Sequence, residues 1–215
     1  MPGPVIVVHV MGRIFVMRSD VEIASGAETG DEQVGAQLLL TVGHGTLGSN
    51  ALAAALGAGG VRLVVDVRSA PGTRRYPQFG RAEMERRLPA AGIDYRWKRD
   101  LGGYRRPLAQ SENLALDHLA FRRYADYIAT RSFALGLRRL LDDAAARPTA
   151  ALCAETLWWR CHRRLIADAA VLLAGATVVH LGHDARLAPH RATEGARLVE
   201  SGGMTTVVYD ARAAA

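Results

Sequence analysis

With 215 residues, 49% of them hydrophobic, and only two cysteines, the chain has enough apolar material for a packed core and too few thiols for a disulfide framework. Such a composition argues against disorder and against a disulfide-stapled secreted domain, and it favours a reducing, cytoplasmic setting. The formal net charge is +6, and the stretch from Arg62 to Arg106, with twelve basic and five acidic residues, carries the whole excess, a distribution that suits contact with phosphate or nucleic acid.

Residues 5–17 are apolar but interrupted by His9 and Arg13, without a basic leader or a small-residue cleavage site. They read as a β-hairpin turning near Gly12 and Arg13, not as a signal peptide or a membrane span. Residues 18–36 are polar and glycine-punctuated and read as a linker. Residues 1–36 are thus expected to be an N-terminal extension, and residues 37–215 a single α/β domain.

Short apolar runs at 38–42, 61–67, 150–153 and 176–181 predict strands, and 93–97 reads as extended. Helical patterns fall at 49–56, 81–88, 121–130, 133–146 and 164–173. Residues 197–199 and 205–209 flank Ser201-Gly202-Gly203 as a terminal hairpin. Strands alternating with helices predict a mainly parallel sheet with helices on both faces, a Rossmann-like three-layer α/β fold with small N- and C-terminal β additions. No segment is long and apolar enough to span a membrane.

Three strand ends carry the chemistry. The first leads into Gly43-His44-Gly45-Thr46, the second into Asp66, Arg68 and Ser69 with Arg74 and Arg75 behind, the third into Cys153 and Glu155. In a parallel sheet all three loops lie on one edge, where ligands bind. Cys161, His162 and Arg163 follow at the start of the next helix, whose N-terminus favours anions and lowers a nearby thiol's pKa. Cys153, Glu155, Cys161, His162 and His44 are therefore the candidate catalytic groups. Arg68, Arg74, Arg75 and Arg163 are the candidate anion ligands, and Gly43 and Asp66 the orienting residues.

These same motifs resemble a bacterial family, domain of unknown function 488. The resemblance rests on Thr41-Val42-Gly43-His44-Gly45-Thr46, Val65-Asp66-Val67-Arg68-Ser69, Leu101-Gly102-Gly103-Tyr104-Arg105, the segment Phe121 to Tyr127, Cys153-Ala154-Glu155 and Cys161-His162-Arg163. It runs in order from about residue 39 to about residue 190, with Gly45 standing where the family pattern has a small polar residue. It implies a cytoplasmic α/β domain and names no reaction, cofactor or substrate.

An enzyme acting on a phosphate-bearing or nucleotide substrate is the first reading. The site faintly resembles that of rhodanese-like sulfurtransferases, but a phosphatase-type loop needs Arg six positions after Cys, and position 159 is Trp. A nucleic-acid-binding protein without catalysis is the second, because Tyr76, Phe79, Tyr95, Trp97 and Tyr104 are interleaved with the arginines. A metal site built on Cys153, Cys161, His162 and His44 is the third. No Cys-x-x-Cys or His-x-x-x-His spacing supports it, and neighbouring Cys161 and His162 would diverge on a helix.

Overall fold

The computed structural model describes residues 37–72, 74–106 and 110–210, together with three strands before them. Those three, β1 (Val5–Val10), β2 (Arg13–Arg18) and β3 (Ala24–Ser25), pair antiparallel in that order. β1 and β2 form the hairpin expected there. The stretch read as a linker otherwise falls outside the described residues.

From residue 37 the chain runs through β4 (Leu38–Gly43), α1 (Ser49–Ala58), β5 (Leu63–Asp66), α2 (Arg81–Ala90) and β6 (Asp94–Trp97). There follow α3 (Leu119–Ile128), α4 (Arg131–Ala146), β7 (Thr149–Cys153), α5 (Arg163–Ala174), β8 (Thr177–Leu181) and β9 (Leu187–Pro189). A hairpin of β10 (Ala196–Ser201) and β11 (Met204–Tyr209) comes last. Its turn carries Gly202 and Gly203 at φ +57° and +75°, the two positive values that a tight two-residue hairpin connection needs.

Six strands make the central sheet, in the order β6-β5-β7-β4-β8-β9. All neighbours are parallel except β9, which runs antiparallel to β8 at the edge. Every residue of β4, β5 and β7 is buried. Parallel strands covered on both faces read as unbroken apolar runs, which is why these segments show no alternation. Successive side chains still point to opposite faces. Leu39, Leu63, Val65, Ala151 and Val178 pack under α3, α4 and α5. Leu38, Leu40, Val42, Val64, Leu152 and Val179 pack under α1 and α2.

Strand order fixes where a ligand has room. β4 leaves through α1 on one face toward β5, whereas β7 leaves through α5 on the other face toward β8. Connections that part in this way open a crevice at the carboxyl ends of the two strands between them. Among the described residues no helix is long and apolar enough to cross a membrane.

Candidate functional site

β4 and β7 stay joined one step past their ends. His44 N–H donates to Cys153 O at 3.0 Å, and Gly45 N–H to Ala154 O at 2.8 Å. This closeness explains Gly43, where a Cβ would lie 1.7 Å from Glu155 O. Gly45 sits at φ +52°, and Thr156 Oγ1 fills the space beside it, 2.0 Å from where a Cβ would stand. The hydroxyl that a polar residue would bring to position 45 is thus supplied from the facing loop. With the loop after β5, these segments bound a cleft of about 660 Å³. His44, Gly45 and Thr46 line it on one side, Ala154, Glu155 and Thr156 on another. Arg68, Ser69, Ala70, Gly72, Arg75 and Tyr76 complete it.

Arg68 is held from two directions. Its Nε donates to Asp66 Oδ1 at 2.9 Å and its Nη2 to Asp66 Oδ2 at 2.5 Å. Tyr95 Oη donates to the same carboxylate at 2.6 Å. On the other side Arg68 Nη1 donates to His44 Nε2 at 3.2 Å. A guanidinium can only donate, so His44 Nε2 accepts and Nδ1 carries the proton, which it gives to Gly45 O at 3.0 Å. The ring stacks on Phe79 with centroids 4.1 Å apart. Burial, with a smaller contribution from the Arg68 charge, lowers the His44 pKa from 6.5 to about 4. His44 is therefore a neutral positioning group with both nitrogens occupied, and no free base.

Behind the cleft lie the two thiols and His162, all buried. Cys153 Sγ and Cys161 Sγ stand 3.7 and 3.6 Å from His162 Nδ1. His162 Nε2 contacts Val67 O at 3.0 Å. The hydrogen bond to Cys161, with burial, pushes the Cys153 thiol well above its ordinary range. For Cys161 burial acts in the same direction, but the Cys153 hydrogen bond, His162 and Arg163 outweigh it and carry its pKa well below the usual value. Cys161 is thus the first of the pair to become a thiolate. The expectation that Cys161 and His162 diverge on a helix is corrected: α5 begins at Arg163, and Cys161 is extended at φ −130°, ψ 150°.

Arg163 departs from its expected role. It is 1% exposed, and its Nη2 donates to the carbonyl of Glu155. Its fork ties the β7 loop to the sheet, so it does not open onto the cleft. Arg163 also starts a buried chain that sequence reasoning missed. Nη1 donates to Thr41 Oγ1 at 3.3 Å, and Thr41 Oγ1 lies 2.7 Å from His180 Nδ1. His180 Nε2 meets His190 Nδ1 at 3.0 Å, and His190 Nε2 meets Asp168 Oδ1 at 2.9 Å. The Asp168 carboxylate can only accept, so His190 Nε2 donates to it, and Arg163 can only donate, so Thr41 Oγ1 accepts from it. Burial, aided by His190 and Arg163, lowers the His180 pKa to about 2. Its ring stacks on Trp158 with centroids 4.0 Å apart. One signal was available: Asp168 interrupts an apolar run on α5, and a carboxylate there demands partners.

Of the candidate residues, then, His44, Arg68, Arg75 and Glu155 line the cleft, and Gly43 ends β4 just before it. Asp66, Cys153, Cys161, His162 and Arg163 stand behind it, and Arg74 is exposed on the same loop but outside the lining. Glu155 is solvent-exposed. The aromatics interleaved with the arginines are mostly structural. Phe79 is buried, Tyr95 holds Asp66, and Trp97 Nε1 donates to Arg68 O at 2.8 Å; Tyr104 alone among them is largely exposed, at 81%. Much of the basic charge on α2 is spent in surface pairs of Arg81 with Glu85 and of Arg86 and Arg87 with Glu83.

The family model described as "Domain of unknown function DUF488" matches residues 49–170. No curated protein and no solved structure matches the chain.

Proposed function

Since the chain belongs to the DUF488 family and residues from three of its motifs line one cleft, we propose that it is an enzyme acting on a small phosphate-bearing ligand held there. One observation carries the reading. Asp66 and His44 fix the Arg68 guanidinium at Nε, Nη2 and one Nη1 hydrogen, while Arg68 itself lines the cleft. A guanidinium has five N–H donors, so it keeps donor capacity beyond these three bonds, on a group already oriented and already charged. Such preorganisation suits a phosphoryl or carboxylate oxygen. Arg75, exposed further along the same loop, adds a second charge. Ser69, Thr46 and Thr156 supply hydroxyl groups, and Glu155 is the exposed carboxylate placed to carry a proton.

Three substitutions, one of them a control, test this without knowledge of the reaction. Phosphate and nucleoside mono-, di- and triphosphates are titrated calorimetrically at low and high salt. Arg75→Ala should weaken binding about tenfold, as loss of one charge-assisted hydrogen bond does, while Arg138→Ala, on the exposed side of α4, leaves it unchanged. Glu155→Gln should tighten binding, because it removes a negative charge from the cleft wall, and should abolish any turnover found. Equal losses from Arg75→Ala and Arg138→Ala, or weaker binding in Glu155→Gln, would sink the reading.

A further inference from the structure

We propose that Cys153, Cys161 and His162 form a site for one thiolate-preferring transition-metal ion of the zinc class, with a fourth position left for an exogenous ligand. Among the described residues this is the one cluster of three potential metal ligands, and their donor atoms all lie within 4.8 Å of one another. Donor atoms bound to a tetrahedral zinc, about 2.3 Å away for sulfur and 2.0–2.1 Å for nitrogen, are spaced about 3.5–3.8 Å apart. The two sulfur–nitrogen separations, 3.7 and 3.6 Å, already have that spacing.

The surroundings prepare the same atoms. His162 Nε2 lies 3.0 Å from Val67 O. A carbonyl only accepts, so Nε2 is the donor, and Nδ1, deprotonated as metal ligation requires, would present its lone pair between the two sulfurs. A histidine fixed by a backbone carbonyl through its far nitrogen is the usual outer support of a metal ligand. Arg163 N–H donates to Cys161 Sγ at 3.5 Å, which favours a thiolate there. Gly103 answers the second need, which is space. A Cβ at that position would stand 2.6 Å from His162 Nδ1, pressing on the coordinating edge of the ring. This gives a physical reason for Gly103, whereas Gly102 is held by close packing on Ser69 of the cleft.

The chemistry of the donor set selects the ion. Two sulfurs and an imidazole suit zinc and its neighbours and do not suit magnesium or calcium. Two thiolates and a neutral imidazole cancel a 2+ charge, so the loaded site is uncharged and can stay buried. Loading exchanges the thiol protons for the metal, and those protons leave to solvent. With three protein ligands the site keeps an open position, as catalytic zinc sites do.

Cobalt(II) titration of the reduced full-length protein is the test. The expected result is one equivalent bound, with the intense visible bands of tetrahedral cobalt, a thiolate-to-cobalt charge-transfer band in the near ultraviolet, and displacement by zinc. X-ray absorption of the zinc-loaded wild-type protein should give two sulfurs at about 2.3 Å and nitrogen at about 2.0 Å, a reading that needs no variant to fold. Cys161→Ser should lower affinity more than 100-fold and Gly103→Ala by about 10–100-fold, in protein whose circular dichroism is native. No charge-transfer band in folded, reduced protein would overturn the assignment. So would rapid, reversible loss of both thiols to a disulfide in the presence of equimolar zinc. Because the phosphate titrations use Arg75 and Glu155, failure of either proposal leaves the other readable.

Discussion

Acidification from pH 8 to pH 5 should cost the fold about 4 kcal/mol, through two histidines that the structure keeps neutral. His44 has Arg68 on Nε2 and gives its proton to Gly45 O; its pKa falls to about 4. His180 is fixed between Thr41 and His190, and its pKa falls to about 2. Both groups are bases whose folded pKa lies below the unfolded value of 6.5. The unfolded chain therefore takes up protons first. Their stabilising effect is complete above about pH 6.5 and declines as pH falls, levelling off near pH 4 for His44 and near pH 2 for His180. At pH 5 each contributes a loss of about 2 kcal/mol, because the unfolded imidazole is by then about thirty-fold more protonated than neutral. Against a total of about 5–15 kcal/mol such a loss is large. Urea denaturation at half-unit pH intervals should show a slope approaching 2.7 kcal/mol per pH unit below pH 6. His44→Gln, which keeps an acceptor and a donor but does not titrate, should remove about half of it. Stability that stays flat between pH 7 and pH 5, or a slope that His44→Gln leaves intact, would refute the argument.

Gly43→Ala should destabilise by about 3 kcal/mol or prevent folding, since its Cβ would overlap Glu155 O. Gly57→Ala, inside α1 with nothing within 4 Å of the added Cβ, should stabilise by about 0.5–1 kcal/mol; chemical denaturation compares the two. Asp168→Ala should cost about 3–5 kcal/mol, because the carboxylate accepts from His190 Nε2, Thr193 N, Thr193 Oγ1 and Tyr209 Oη. Asp168→Asn should cost less in the same assay, since the partners of Oδ2 are both hydroxyls, which can turn and accept from the new amide.

Much of the fold was legible because burial on both faces leaves a simple trace. Leu38 to Leu40, Val64 to Val65 and Ala150 to Leu152 are uninterrupted apolar runs, and Gly202-Gly203 marks its own turn. β9 was not legible: three residues at a sheet edge leave no period to read. In the site, the loops after β4, β5 and β7 were visible as polar punctuation at strand ends. The fate of their charges was not. Arg68 and Arg163 look alike in sequence, yet one faces the cleft beside Asp66 and the other is spent on Glu155 O. That difference depends on carbonyls and carboxylates brought together by strand order. The path from Arg163 to Asp168 joins residues 41, 163, 168, 180 and 190, and of these only Asp168, set in an apolar helical run, carries a signal when taken singly.

The place of β7 in the sheet has a consequence for biosynthesis. β4, α1 and β5 are consecutive, but β4 and β5 do not touch, because β7 lies between them. At ribosomal rates of about 5–20 residues per second, the gap between Asp66 and Cys153 lasts about 4–17 s. Throughout that interval each of the first two central strands has an unpaired edge toward the missing strand, the kind of edge that recruits foreign strands. A nascent chain arrested before residue 149 would lack the backbone bonds through which β7 ties the His44 and Arg68 loops to one frame. Chaperone dependence and aggregation during synthesis should therefore end abruptly once β7 has cleared the exit tunnel and slotted into the sheet.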